Sequence, residues 1–234
     1  MLSPAFPKHQ ENHFTAARSV RDVVIGMADG LTVPFALAAG LAGAHAGNQI
    51  IVTAGLAEIV AGAIAMGLGG YLAARTDLEH YESEKKREVQ ETYDKPEQEA
   101  KEVADIFRGY GLEQNLIETV VDAIKADRSR WVDFMMRFEL GLDAPDPGRA
   151  NLSAFWIGSS YLVGGLVPLV PYMVTPEPTA ALRLSIVVTA GALLAFGYFK
   201  GKMTTLHPWR SALQTLSIGG AAATVAYLVA RSIA

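Results

Sequence analysis

Three residues in two otherwise apolar stretches carry side chains that could do chemistry: Asp29, Glu58 and Met66. From Gly30 to Ala57 the one ionisable side chain is His45, and residues 59–74 hold no charged side chain. A carboxylate within a lipid-spanning helix costs about 2.5–3.5 kcal/mol on insertion scales, so such a group faces the protein interior and has a task. With a rise of about 1.5 Å per residue, Asp29 lies about 10 Å in from the start of the first stretch. Met66 lies about 12 Å from the end of the second, and Glu58 roughly 12 Å farther from that end. If the two helices run antiparallel, Asp29 and Met66 share one depth. A carboxylate beside a thioether suits a borderline transition metal better than calcium or magnesium, which prefer oxygen throughout. Taken singly, Met66 is more often a filler of core gaps, and each carboxylate could serve a structural hydrogen bond.

A second set of carboxylates follows at helical spacing. Glu84, Glu88 and Glu91 share one face of a helix, and Glu99 and Glu102 repeat the pair beyond Pro96. Glu-x-x-Glu spacing places two carboxylates on adjacent turns of one face, where they can share a hard or borderline cation. Two such pairs across a proline-containing turn can converge. Glu139, with Met135 and Met136 one turn before it, extends the set. The competing reading is a solvated acidic face, with Lys85, Lys86 and Arg87 beside the acids, and with both methionines in a core with Trp131, Phe134 and Phe138.

The elements that must position these groups follow from composition. Of the 24 acidic residues, 19 fall between Arg75 and Arg149, a segment with net charge -7; the remaining 159 residues carry +3. That is the pattern of an acidic soluble insert within a membrane protein. A spanning helix needs about 20 apolar residues, and five stretches qualify: 22–44, 50–74, 151–174, 179–199 and 209–231. The fold class expected is therefore an all-α membrane protein, with five transmembrane helices and a three-helix cytoplasmic insert between spans two and three. The divisions are 1–21, an N-terminal cytoplasmic segment; 22–74, spans one and two; 75–149, the acidic metal-binding domain; and 150–234, spans three to five. Within the insert, one helix continues span two to about Tyr93. A second runs from Pro96 to Arg108, and a third from Glu113 to about Leu140. Pro34, Pro168 and Pro171 predict kinks within spans. Gly26/Gly30, Gly43/Gly47 and Gly197/Gly201 allow close helix approach.

Eighteen of the 20 basic residues lie on one side of this arrangement, leaving Arg183 and Arg231 on the other. The positive-inside rule then puts the N-terminus and insert in the cytoplasm and the C-terminus outside. The early sequence lacks the short apolar run of a signal peptide. The absence of cysteine excludes disulfides, thiolate metal sites and cysteine nucleophiles. No Ser/His/Asp grouping points to hydrolysis, so no enzyme is expected. The insert's negative charge disfavours nucleic acid. Its one histidine, His80, forms no Glu-x-x-His pair of the di-iron type. Two other readings compete with metal transport: a membrane-anchored iron-binding or oxidising protein, and a metal-regulated interaction protein.

Residues 21–37 (RDVVIGMADGLTVPFAL) and 58–74 (EIVAGAIAMGLGGYLAA) closely resemble the first two spans of the vacuolar iron transporter family. With five spans and an acidic insert after the second, the resemblance covers nearly the whole chain. It implies a homodimer in the lipid bilayer that moves Fe²⁺, and related ions such as Mn²⁺, Co²⁺ or Zn²⁺, out of the cytosol in exchange for protons. The metal is cargo or bound ion, with no prosthetic group. The resemblance makes Asp29, Glu58 and Met66 residues of the transport path. It makes Glu88, Glu91, Glu99, Glu102 and Glu139, with Met135 and Met136, the metal site of the cytoplasmic domain. The membrane would be the cell membrane, or the vacuolar membrane in a eukaryote.

Overall fold

The computed structural model describes residues 13–204 and 207–234, with side chains from Arg18 onward. Lys8, counted above in the charge balance, lies outside the described residues. The described chain is helical throughout, in the order α1 (His13–Gly43), α2 (Asn48–Asp94), α3 (Pro96–Gly109), α4 (Gln114–Lys125), α5 (Arg128–Phe138), α6 (Arg149–Val174), α7 (Pro178–Thr204) and α8 (Pro208–Ile233). Five of these, α1, α2, α6, α7 and α8, are long and apolar enough to cross a membrane. Each contains the corresponding apolar stretch of the sequence almost entirely. The chain divides into two units: residues through Tyr71 with Asn151–Ala234, and Leu72–Ala150.

In the first unit, large apolar side chains point outward on every long helix. Ile64 and Leu68 on α2, Phe155 and Val163 on α6, Val187 on α7 and Leu213 on α8 are all more than half exposed. Such a surface is compatible with lipid and not with water. Inside, small residues let backbones meet. A Cβ on Gly26 or Gly30 of α1 would fall on the carbonyl oxygens of Ile157 and Tyr161 of α6. Gly62 of α2 accommodates the Tyr161 ring, and Gly67 lies against Ala154 and Gly158, so α6 packs on both α1 and α2. Gly197 and Gly201 make the same close approach of α7 to α8. Gly43 packs against Tyr227, whereas Gly47 meets nothing and serves only the turn.

The prolines inside α1 and α6 leave both helices continuous. The buried Ser185 hydroxyl donates to the Pro168 carbonyl at 2.7 Å, which ties α7 to α6 at the proline pair. At the α6–α7 turn, the Asn48 amide donates to the Thr175 carbonyl at 2.6 Å.

These close approaches give a first testable contrast. Gly30→Ala has to displace α6 backbone, and overpacking of this kind costs about 1–3 kcal/mol or more. Its yield of folded, detergent-extractable protein should fall well below wild type. Gly69→Ala, where an added Cβ meets nothing within 4 Å, should leave the yield unchanged. Equal yields on size-exclusion chromatography would contradict the packing.

The second unit has its own core of Val103, Ile117, Val121, Ile124, Trp131 and Met135. The apolar positions of α4 recur at intervals of four and three, and the buried face of α5 is Trp131, Val132, Met135 and Met136. The single third helix expected over residues 113–140 is in fact two. The chain breaks at Ala126–Asp127, where the Asp127 side chain accepts from the Arg130 backbone N–H at 3.0 Å and caps α5. The break lets α5 fold back onto α4, so that Trp131 and Met135 enter the same core as Ile117 and Val121.

Candidate metal centres

Three different elements of the second unit deliver carboxylates to one place. Glu88 stands near the end of α2, Glu99 in the first turn of α3, and Glu139 as the residue that closes α5. One oxygen from each lies within 4.8 Å of the others. Small rotamer changes would bring all three onto one ion at ordinary metal–oxygen distances. Glu88 and Glu99 are 2% and 3% exposed, while Glu139 is open to solvent. The arrangement is a buried floor with an accessible rim.

The electrostatics call for a cation. One oxygen of Glu88 and one of Glu99 are buried with no hydrogen-bond partner among the described residues. A carboxylate only accepts, and leaving such an atom dry and unpaired is expensive. Burial first, then a hydrogen bond to Glu99 and the charges of Glu99, Glu139 and Glu91, push the Glu88 carboxyl up to about 8. Glu99 is also raised by burial, although the hydrogen bond from Glu88 works against this. Burial together with the charges of Glu102, Glu99 and Glu91 raises Glu139 to about 7. Glu91 and Glu102 are thus within electrostatic reach without belonging to the central trio. Glu91 also faces Arg87 at 3.8 Å.

Met135 is fully buried within the apolar cluster, and Met136 is 1% exposed on the same helix. Packing in the apolar cluster accounts for the burial of Met135.

A pH dependence follows. Carboxyls raised to about 7 and 8 hold protons near neutrality that an incoming divalent ion has to displace. Affinity should therefore climb as pH rises through 7 to 8, with proton release on binding. Calorimetry on the full chain in two buffers of different ionisation enthalpy checks this. A binding heat independent of the buffer would contradict it.

In the first unit, Asp29 of α1, Glu58 of α2 and Met66 of α2 are all half-buried. The residue that engages Glu58 is Tyr161 of α6, whose hydroxyl donates to Oε1 at 2.5 Å. The other oxygen, Oε2, is buried and unpartnered among the described residues. Asp29 lies within electrostatic reach of the same hydroxyl, and its neighbour Gly30 packs on the Tyr161 backbone. Met66 stands about 12 Å along α2 from Glu58, outside this hydrogen-bonded pair.

Residues 20–231 match the VIT family. The chain belongs to the vacuolar iron transporter family. As a member of that family it is a transporter and not an enzyme. Vacuolar iron transporter 1 of Arabidopsis thaliana is 52% identical over 225 residues, covering 96% of this chain and 90% of its own. Vacuolar iron transporter 2 of Oryza sativa subsp. japonica is 52% identical over 226 residues, with 97% and 92% covered. Protein CCC1 of Saccharomyces cerevisiae is 40% identical over 223 residues, with 90% and 67% covered.

Tyr161 is the partner of Glu58 in this vacuolar iron transporter family member that spacing did not single out. Its signal was a phenolic hydroxyl in the middle of an uncharged span, where such a group requires a partner.

Proposed function

We propose that this protein carries Fe²⁺ across a membrane, out of the cytosol and in exchange for protons, with Mn²⁺, Co²⁺ and Zn²⁺ as further cargo. It acts as a homodimer with the N-terminus and the insert, residues 75–149, in the cytoplasm. The membrane is vacuolar, or the cell membrane where the cell has no vacuole. The observation that carries the reading is the set of buried carboxylate oxygens with no partner among the described residues: Glu88 and Glu99 in the insert, and Glu58 within the spans. Each is an acceptor that a cation or a proton would satisfy. The names of its relatives, vacuolar iron transporters at 52% identity, support iron as the cargo.

In this reading Glu88, Glu99 and Glu139 hold the incoming ion, and Glu91 and Glu102 supply the surrounding field. Met136 lends a thioether donor. The ion passes to Asp29 and Met66 between two protomers, and protonation of Asp29 or Glu58 discharges it on the far side. A metal panel in proteoliposomes tests the donor chemistry. Fe²⁺ and Mn²⁺ should move, while Ca²⁺ and Mg²⁺, which demand oxygen throughout, should not. Equal flux of Ca²⁺ and Fe²⁺ would overturn the carboxylate–thioether site.

Tyr161 orients Glu58, and loss of such a supporting hydrogen bond typically costs about 10–100-fold at a metal site. Tyr161→Phe should slow Fe²⁺ flux by roughly the lower end of that range and shift its pH profile. An unaltered rate and profile would show that the bond is only structural.

A further inference from the structure

A groove of about 350 Å³ opens between α1, α7 and α8. Its walls are apolar: Phe35 from α1, then Leu182, Ile186 and Leu193 from α7, with Leu216 and Gly220 from α8. The one hydroxyl of a threonine in the wall, that of Thr224, is satisfied by its own helix, donating to the Gly220 carbonyl at 2.7 Å. Nothing here would bind a metal ion. From Leu182 to Leu193 the groove extends about 16 Å along α7, which is the depth of one leaflet of a hydrocarbon core about 30 Å thick.

One end of the groove is distinctive. Arg183 and Arg231 are the two basic residues that the charge pattern separates from the other eighteen, and each follows groove-lining residues along its helix. Arg183 follows Leu182 directly. Arg231 falls on the groove face of α8 one turn beyond Tyr227 and Leu228, and a helical side chain leans back over the turn before it. Both arginines are exposed, and neither forms a salt bridge among the described residues. The acid at this end, Glu177, accepts from the Thr179 and Ala180 backbone N–H groups at the start of α7 and lies within electrostatic reach of Arg183. Arg231 is therefore the less compensated cation. Tyr227, at the same level, has a hydroxyl with no hydrogen bond among the described residues.

We propose that this groove holds one acyl chain of an anionic glycerophospholipid from the leaflet at the α6–α7 turn, with its phosphate bound by Arg231 and Arg183. Tyr227 donates to a glycerol ester carbonyl. The guanidinium geometry matches a phosphate, and two such contacts favour an anionic headgroup over a zwitterionic one.

Gly220 provides a clean test, because a Cβ there meets nothing within 4 Å. Gly220→Phe therefore projects a ring into the groove without displacing backbone. Purified, delipidated full-length protein is exposed to palmitoyl-oleoyl phosphatidylglycerol or phosphatidylcholine and examined by native mass spectrometry. Wild type should retain one phosphatidylglycerol per protomer at least about tenfold more tightly than phosphatidylcholine. Gly220→Phe should lose that adduct. Arg183→Gln/Arg231→Gln, which leaves the groove intact and keeps the test open if the first variant folds poorly, should lose the headgroup preference. Retention of the adduct in both variants would overturn the proposal. So would equal affinity for the two lipids in wild type. A change of oligomeric state in Gly220→Phe, with lipid adducts unchanged, would assign the groove to a second copy of the chain and overturn it likewise.

Discussion

Fe²⁺ flux through Asp29→Ala proteoliposomes should fall to the level of protein-free vesicles. Asp29 is a half-buried carboxylate on α1 within the electrostatic reach of Tyr161, beside a glycine whose backbone contact with α6 fixes its height. Removing one partner from a desolvated ion pair costs about 3–5 kcal/mol, or roughly two to three and a half orders of magnitude in binding. Asp29→Asn should be as inactive as alanine, because the amide keeps the shape and loses the charge. Asp29→Glu should retain part of the activity. Insert metal binding should be unchanged in all three variants, which separates loss of transport from loss of folding. Wild-type flux in Asp29→Ala would remove Asp29 from the path.

The second large effect belongs to the insert. Glu88→Gln/Glu99→Gln leaves the fold's shape and removes both buried carboxyls. Divalent metal affinity of the full chain should fall by on the order of 100-fold or more. Stability of the metal-free protein should move the other way. Both carboxyls are raised above their unfolded values, Glu88 to about 8, chiefly by burial. The folded state therefore favours their protonated forms. Their contribution to stability is fully present below the unfolded value of 4.5 and is lost as pH rises through about 8. Metal-free wild type should accordingly unfold at lower temperature at pH 8.5 than at pH 5.5. The double glutamine variant should show a smaller pH dependence, and added Fe²⁺ under anaerobic conditions should stabilise it less than wild type. An equal pH response in both proteins would mean that Glu88 and Glu99 are not the strained pair.

The five spans were legible because a helix surrounded by lipid shows its apolar character on every face. Residues 151–174 and 179–199 need no periodicity analysis to be recognised. The Glu88 to Glu99 convergence was also legible, since Pro96 marks the turn and the spacing marks the faces. Asp127 was harder to read. It sits inside a run with continuous helical periodicity, and only its capping bond to Arg130 separates α4 from α5. The contribution of Tyr161 was not legible at all from spacing. It reaches Glu58 across 103 positions of sequence, and such a contact depends on how Gly30 and Gly62 let α6 settle against α1 and α2. Met135 shows the converse. Its position one turn before Glu139 reads as a ligand, yet the packing of α3, α4 and α5 places it in the core.

The account stands most directly on Fe²⁺ flux measured in proteoliposomes of the wild-type chain, under anaerobic conditions, with and without an opposing pH gradient. The account predicts Fe²⁺ movement that accelerates when protons flow the other way, accompanied by a pH change in the vesicle lumen. Fe²⁺ flux absent under both conditions, or a rate indifferent to the gradient with no proton movement, would contradict it.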